Sequence, residues 1–191
     1  MKYMMNGAHR THGLIRLTLG GTLVFLTFLW VSNFLMYAQR MGLDPHSVVR
    51  YYRGSEEEFA APRTYGSLLE ASHGHFAMMG LVLLLLTHLA IFVPWSLRVR
   101  VVLVVGTFAA ALCEELAGWL VRYAHPDFAW LKIAGFLGLQ AGLGVLLAGL
   151  AWQVARQPAQ GGAEVRPDAA SPVERAAPQP APAPEAALER S

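Results

Sequence analysis

The sequence predicts an all-α integral membrane protein, a bundle of four transmembrane helices followed by a disordered tail. Three observations carry that prediction. Of 191 residues, 54% are apolar and 15% charged, and the charges cluster between the apolar runs. Four of those runs are long enough to cross a hydrocarbon core about 30 Å thick, since a helix rises about 1.5 Å per residue. From Gln157 onward the chain is dominated by Pro, Ala and Gly and holds seven of its eleven prolines, too little apolar surface to offset the entropy of ordering. The chain therefore divides into a four-helix transmembrane domain, residues 1–156, and a disordered Pro/Ala-rich tail, residues 157–191.

The first span, residues 17–38, exceeds the apolar core of about 7 to 15 residues that a signal peptide carries and lacks an A-x-A site, so it reads as a signal anchor. The loop after it, residues 41–67, is long for a helix connection. Within it Asp44 and Pro45 form an N-cap and first-turn proline that open a short helix through Arg53, and Gly54 ends it. Ser55 with Glu58 offers a second capping box. Such a loop is either a lid or docking surface over the membrane face or a structured linker. Ser67 and Glu70 form an S-x-x-E capping box, which predicts that the second helix starts near Leu68, spans residues 73–93 and stops at Pro94. The third span, residues 101–121, is broken by Pro126, and Asp127 is positioned to cap the fourth, residues 128–152. Gly135, Gly138, Gly142, Gly144 and Gly149 give the fourth helix small-residue faces for close packing.

Lipid is thus the first partner. With both termini inside, six basic residues near the membrane fall on each side, while the acids Asp44, Glu56, Glu57, Glu58, Glu70 and Asp127 all fall outside. Both termini are expected to be cytoplasmic, in a bacterial-type inner membrane. A net charge of +2 without a basic stripe argues against nucleic-acid binding. Cys113 is the only cysteine, so there is no intramolecular disulfide, CxxC pair or CxxCH haem attachment. No nucleophile–base pair, phosphate loop or dinucleotide fingerprint appears, and the chain reads as an electron-transfer or accessory subunit rather than a free-standing enzyme.

Ionisable groups within a bilayer are costly and tend to be functional. On the second helix His73 and His88 lie 15 residues apart, about 60° apart on one face and about 22 Å apart along the axis, one near each membrane surface. Ala77, Gly80 and Leu84 lie between them and leave room for a flat cofactor or another helix. His75 faces a different direction. Neutral imidazole is a good axial ligand for haem iron. His125, at the end of the third helix, is available to pair with His73 or His75, and His12, at the base of the first, with His88. The competing structural reading makes His73 and His75 interfacial and His88 a cross-helix hydrogen-bonding group.

Glu114 and Glu115 lie about 11 to 12 Å below the end of the third helix, with side chains about 100° apart. By helical phase Glu114 aligns with His125 and Glu115 with Arg122. The two carboxylates are either a proton relay or a buried polar pair that locks helix packing. His73, His75, Met78, Met79, Cys113, Glu114 and His125 would suit copper or zinc if they gathered at the outer face, and His73, His75, His88 and His125 are the candidate metal ligands.

In its four helices and in His73, His75, His88 and His125 the chain resembles the membrane-embedded b-type cytochromes that pass electrons between quinone and periplasmic redox partners. The resemblance covers residues 12–152. It departs from that family's pattern in having a histidine deep in the membrane on the second helix alone. It implies haem b, a soluble redox partner, a quinone and transmembrane electron transfer. The alternatives are a non-catalytic scaffold or anchor subunit of a larger complex and a copper or zinc site at the outer face.

Overall fold

Long apolar stretches close their own backbone hydrogen bonds as helix because lipid offers no partners. In the computed structural model, which describes residues 7–156 and their side chains from residue 14 onward, four such helices form. They are α1 (Gly7–Arg40), α3 (Tyr65–Ala90), α4 (Leu97–Tyr123) and α5 (Ala129–Arg156), with the short α2 (Pro45–Arg53) in the loop after α1. The tail expected to be disordered, residues 157–191, lies outside the described residues. The four spans are long and apolar enough to cross a membrane. α1 and α4 extend beyond the expected bounds at both ends, α3 starts earlier but stops at Ala90, short of residue 93, and α5 starts at Ala129 but runs on to Arg156, because helix continues into the interface until a capping group ends it.

Two helix starts differ from expectation. Thr64, not Ser67, caps α3: its hydroxyl accepts the Ser67 N–H at 3.2 Å, so the helix begins at Tyr65 instead of near Leu68. Asp127 does not cap the fourth span. Pro126 opens a 3₁₀ turn, Pro126–Phe128, whose preceding His125 accepts the Asp127 N–H on Nδ1 at 3.3 Å, and this turn runs directly into α5. Pro94 lies beyond the end of α3 at Ala90, where the Arg100 guanidinium donates to the Val93 carbonyl at 2.9 Å.

The tightest pairing is α4 on α5, made possible by the glycines of α5. A methyl group at Gly135 would lie 2.7 Å from the Glu114 backbone nitrogen, one at Gly138 3.3 Å from Ala110, and one at Gly142 against the Thr107 side chain. Ascending α5 meets descending α4, as antiparallel neighbours must. α3 packs on the same pair through Leu83 and Leu86, which join Leu139 and Leu146 in the core. α1 rests on α5: the Trp30 indole N–H donates to the Gln140 carbonyl at 3.0 Å, and Tyr37 stacks on Phe136 with centroids 3.7 Å apart. Elsewhere α1 presents apolar side chains such as Phe25 and Phe28 outward, as a lipid-facing helix does.

The loop is structured and lies over the ends of α4 and α5. Val48 and Tyr52 of α2 are buried against Val121 and Phe136. The Arg53 guanidinium donates to the carbonyls of Val121 (2.6 Å) and Ala124 (3.3 Å), and Arg122 donates to Arg63 O at 2.8 Å. The two Arg53 bonds satisfy carbonyls that the end of α4 leaves open. Gly54 ends α2 at φ +82, where a side chain would collide with the Ala60 carbonyl as the chain doubles back. Ser55 and Ala60 pair there as an isolated bridge, so the Ser55/Glu58 box caps no helix; Glu58 instead bonds Arg50 at 2.6 Å.

Asp44 caps α2 as expected, accepting the Ser47 N–H at 2.9 Å. That bond and the Ser47 hydroxyl hold its carboxyl below the ordinary value of 3.8. A depressed carboxyl stabilises the fold above its unfolded value and loses that effect as pH falls through its folded one. The amides of α2, corrected for intrinsic exchange, are therefore expected to lose hydrogen-exchange protection below about pH 3.8, and Asp44→Ala to lose it already at pH 6. Equal protection in both proteins at both pH values would refute this role for the cap.

Candidate functional site

Adjacent residues on a helix point about 100° apart, and α4 uses that divergence to send Glu114 and Glu115 to different partners. Glu114 faces α5, where Lys132 Nζ bonds its Oε1 and also donates to the Glu114 backbone carbonyl at 3.0 Å. Both side chains are buried. Glu115 faces α3: Ser72 Oγ donates to its Oε1 at 2.5 Å, and His75 Nδ1 lies 2.9 Å from its Oε2. Trp119 Nε1 donates in turn to Ser72 Oγ at 2.8 Å. The helical-phase alignment of Glu114 with His125 and of Glu115 with Arg122 is not what forms. His125 pairs with Asp127 at 3.3 Å, and Arg122 with the Arg63 carbonyl.

Tyr52 of α2 closes the site from the loop side, its ring 5.7 Å from Lys132 Nζ. Burial pushes its phenol up from the ordinary value of 10, opposed by the charge of Lys132, so the hydroxyl is neutral at physiological pH. Gly118 admits the ring, since a methyl there would sit 2.8 Å from Tyr52 Oη.

Between these groups lies a polar cavity of about 130 Å³ whose walls include Glu114, Glu115, Lys132, His75, Tyr37 and Arg63. Two buried atoms in its wall, Glu114 Oε2 and Tyr37 Oη, have no hydrogen-bond partner among the described residues. An unpaired buried polar atom costs about 1–3 kcal/mol. Adjoining the cavity is an apolar crevice of about 220 Å³ between α1 and α3, lined by Leu26, Trp30, Val82 and Leu147 among others. Asn33, Met36, His75 and Met79 line both spaces. On the loop side an open concavity shares Arg40, Tyr51, Arg63 and Ser67 with the polar cavity. The arrangement suits an amphiphile, with a polar head among the ion pairs and an apolar tail between two helices.

Of the histidines singled out from sequence, only His75 enters this site. His73 and His88 are exposed on the flank of α3, and His125 is exposed at the end of α4. The His12 side chain lies outside the described residues. An intrachain haem needs two axial ligands converging on one space. His75 is the single histidine lining the polar cavity, the apolar crevice and a small cleft beside Phe108 and Leu112, so among the described residues no second histidine meets it to ligate a haem. Nor do they form a copper or zinc site, because among the described residues no three His, Cys, Asp or Glu side chains gather.

Sequence reasoning missed Lys132, Tyr37, Ser72, Trp119 and Tyr52. The signal for Lys132 was present: a lone lysine inside the fourth apolar run, with two carboxylates inside the third, calls for pairing. Tyr37 and Trp119 were indistinguishable from interfacial aromatics.

The sequence model of the Aq_1264_TM family, a transmembrane helical domain, matches residues 42–161. The chain belongs to that family. Within the Aq_1264_TM domain fall α2 to α5, and so both ion pairs, the Ser72–Trp119 bond and Tyr52; α1, with Tyr37 and Trp30, precedes the matched segment. No curated protein and no solved structure matches the chain.

Proposed function

We propose that the chain is the membrane subunit of a quinone-linked electron-transfer system and that it holds the quinone ring at His75. The observation that carries this reading is the position of His75, on the wall shared by a polar cavity and an apolar lateral crevice. A quinone needs a site of that composition, few polar groups for the ring and apolar walls for the isoprenoid tail. The His75–Glu115 bond orients the imidazole and leaves Nε2 for the ligand. Neutral, Nε2 accepts from a quinol hydroxyl; protonated, it donates to a quinone carbonyl. Glu115 has both oxygens engaged, by Ser72 and His75, and acts as a positioning residue.

Electrons then leave through a redox centre on a soluble partner. The loop face offers that partner a basic concavity with Arg40, Arg50 and Arg63 in its wall. In this reading the loop face is the outer face of a bacterial-type inner membrane and both termini are cytoplasmic.

The test is equilibrium binding of a decyl-substituted benzoquinone and its quinol to the full chain in lipid nanodiscs. His75→Ala is expected to weaken both ligands at least about ten-fold, the value of one strong hydrogen bond. If the unaltered chain binds neither form, the reading is lost.

A further inference from the structure

Glu114 Oε2 and Tyr37 Oη are buried in the wall of the same cavity as His75, and neither has a hydrogen-bond partner among the described residues. Both residues are more than nine-tenths buried, each being 6% exposed. Their chemistry is not symmetric with respect to a ligand. A phenol both donates and accepts, as does an imidazole through its two protonation states, so Tyr37 and His75 serve a carbonyl or a hydroxyl equally. A carboxylate in an ion pair only accepts. Lys132 engages Oε1 and the Glu114 carbonyl, which leaves Oε2 as an acceptor-only atom without a partner among the described residues, on a side chain that lines the cavity.

Resting on the quinone reading above, we infer that the site selects the reduced, hydroxyl-bearing ring over the oxidised one and that Glu114 makes the selection. A ring with one oxygen at His75 has its other oxygen within the same small cavity. A quinol hydroxyl there donates to Oε2 and can accept from Tyr37. A quinone carbonyl presents lone pairs to Oε2, so two acceptors meet at a buried atom, an unfavourable contact.

The preference suits turnover in the direction of quinol oxidation, which an acceptor of higher potential drives. The quinol is the substrate; its two electrons pass one at a time to two equivalents of an oxidised one-electron-accepting metalloprotein, each reduced once, and its two hydroxyl protons are lost to the cavity groups and solvent. The quinone formed is the weaker ligand and departs.

The experiment compares the two redox forms in the full chain. Calorimetric titrations in lipid nanodiscs under argon use the decyl benzoquinol and the decyl benzoquinone separately. The quinol is expected to bind about ten-fold more tightly, the value of one charge-assisted hydrogen bond. Glu114→Gln, whose amide donates as well as accepts, is expected to bring the ratio to about one. Because that variant leaves Lys132 buried without its partner, the pair Glu114→Gln with Lys132→Met is measured beside it, with the same ratio expected. Tyr37→Phe is expected to weaken both forms and keep the ratio. Equal binding of the two forms by the unaltered chain, or a ratio that survives both Glu114 variants, overturns the selection by Glu114 and leaves the quinone reading intact. Binding of neither form overturns both.

Discussion

Replacing Lys132 with alanine is expected to destabilise the bundle by about 3–5 kcal/mol, the loss that follows when one member of a buried ion pair is removed. The reason lies in what Glu114 keeps. Its carboxylate is buried between α4 and α5, and without the ammonium its Oε1 loses the ion pair while its backbone carbonyl loses the 3.0 Å bond from Nζ. The cost is that of an orphaned charge, not of the pair itself, so the double substitution Lys132→Met with Glu114→Leu is expected to recover most of the loss. Reversible unfolding in mixed micelles, followed by the tryptophan signal, reads all three proteins. A double substitution as unstable as Lys132→Ala would mean that the ion pair contributes net stability beyond mutual neutralisation.

Gly135→Ala is the second large effect, and its control is Gly80→Ala. In most helices exchanging glycine for alanine stabilises by about 0.8–1 kcal/mol, because the backbone loses less freedom on folding. At Gly80 nothing lies within 4 Å of the added methyl, so Gly80→Ala is expected to be neutral or stabilising. At Gly135 the methyl would lie 2.7 Å from the Glu114 backbone nitrogen and 2.9 Å from its Cα, atoms that cannot rotate aside. α4 must move from α5, and the expected cost is about 1–3 kcal/mol. That displacement also shifts Glu114 from Lys132, so weakened quinol binding is expected along with lower stability. Equal midpoints for Gly135→Ala and the unaltered chain would show that the helices accommodate the methyl without separating.

These two substitutions also show how far the sequence could be read. The glycines of the fourth apolar run pointed to close packing, and Glu114 and Glu115 to a costly group inside the membrane. Neither disclosed its partner. The phase of one helix gives the directions of its own side chains but not the rotation or neighbour of the next helix, so His125 and Arg122 were the nearest guesses by alignment along α4 itself. The actual partners, Lys132, His75 and Ser72, come from α5 and α3. The same limit applied to the histidines. His73 and His88 share a face of α3, and only packing decided that His75, itself half-exposed, is the histidine that meets Glu115.

Four spans, the approximate ends of each, and the Asp44, Pro45 and Gly54 signals that bound α2 were legible from the residues alone. Each depends on interactions within a few positions along the chain, on the length needed to cross the bilayer, or on the capping of local backbone groups. The cavity, the lateral crevice and the two unpartnered oxygens were not. They arise where α1 rests on α5 and stands apart from α3, a matter of which surfaces interlock over 100 residues of separation, as in the bond from Trp30 to Gln140. Sequence alone thus determined a membrane bundle with charged groups it must account for. Tertiary packing decided which of those groups neutralise one another and which atoms are left without a partner among the described residues.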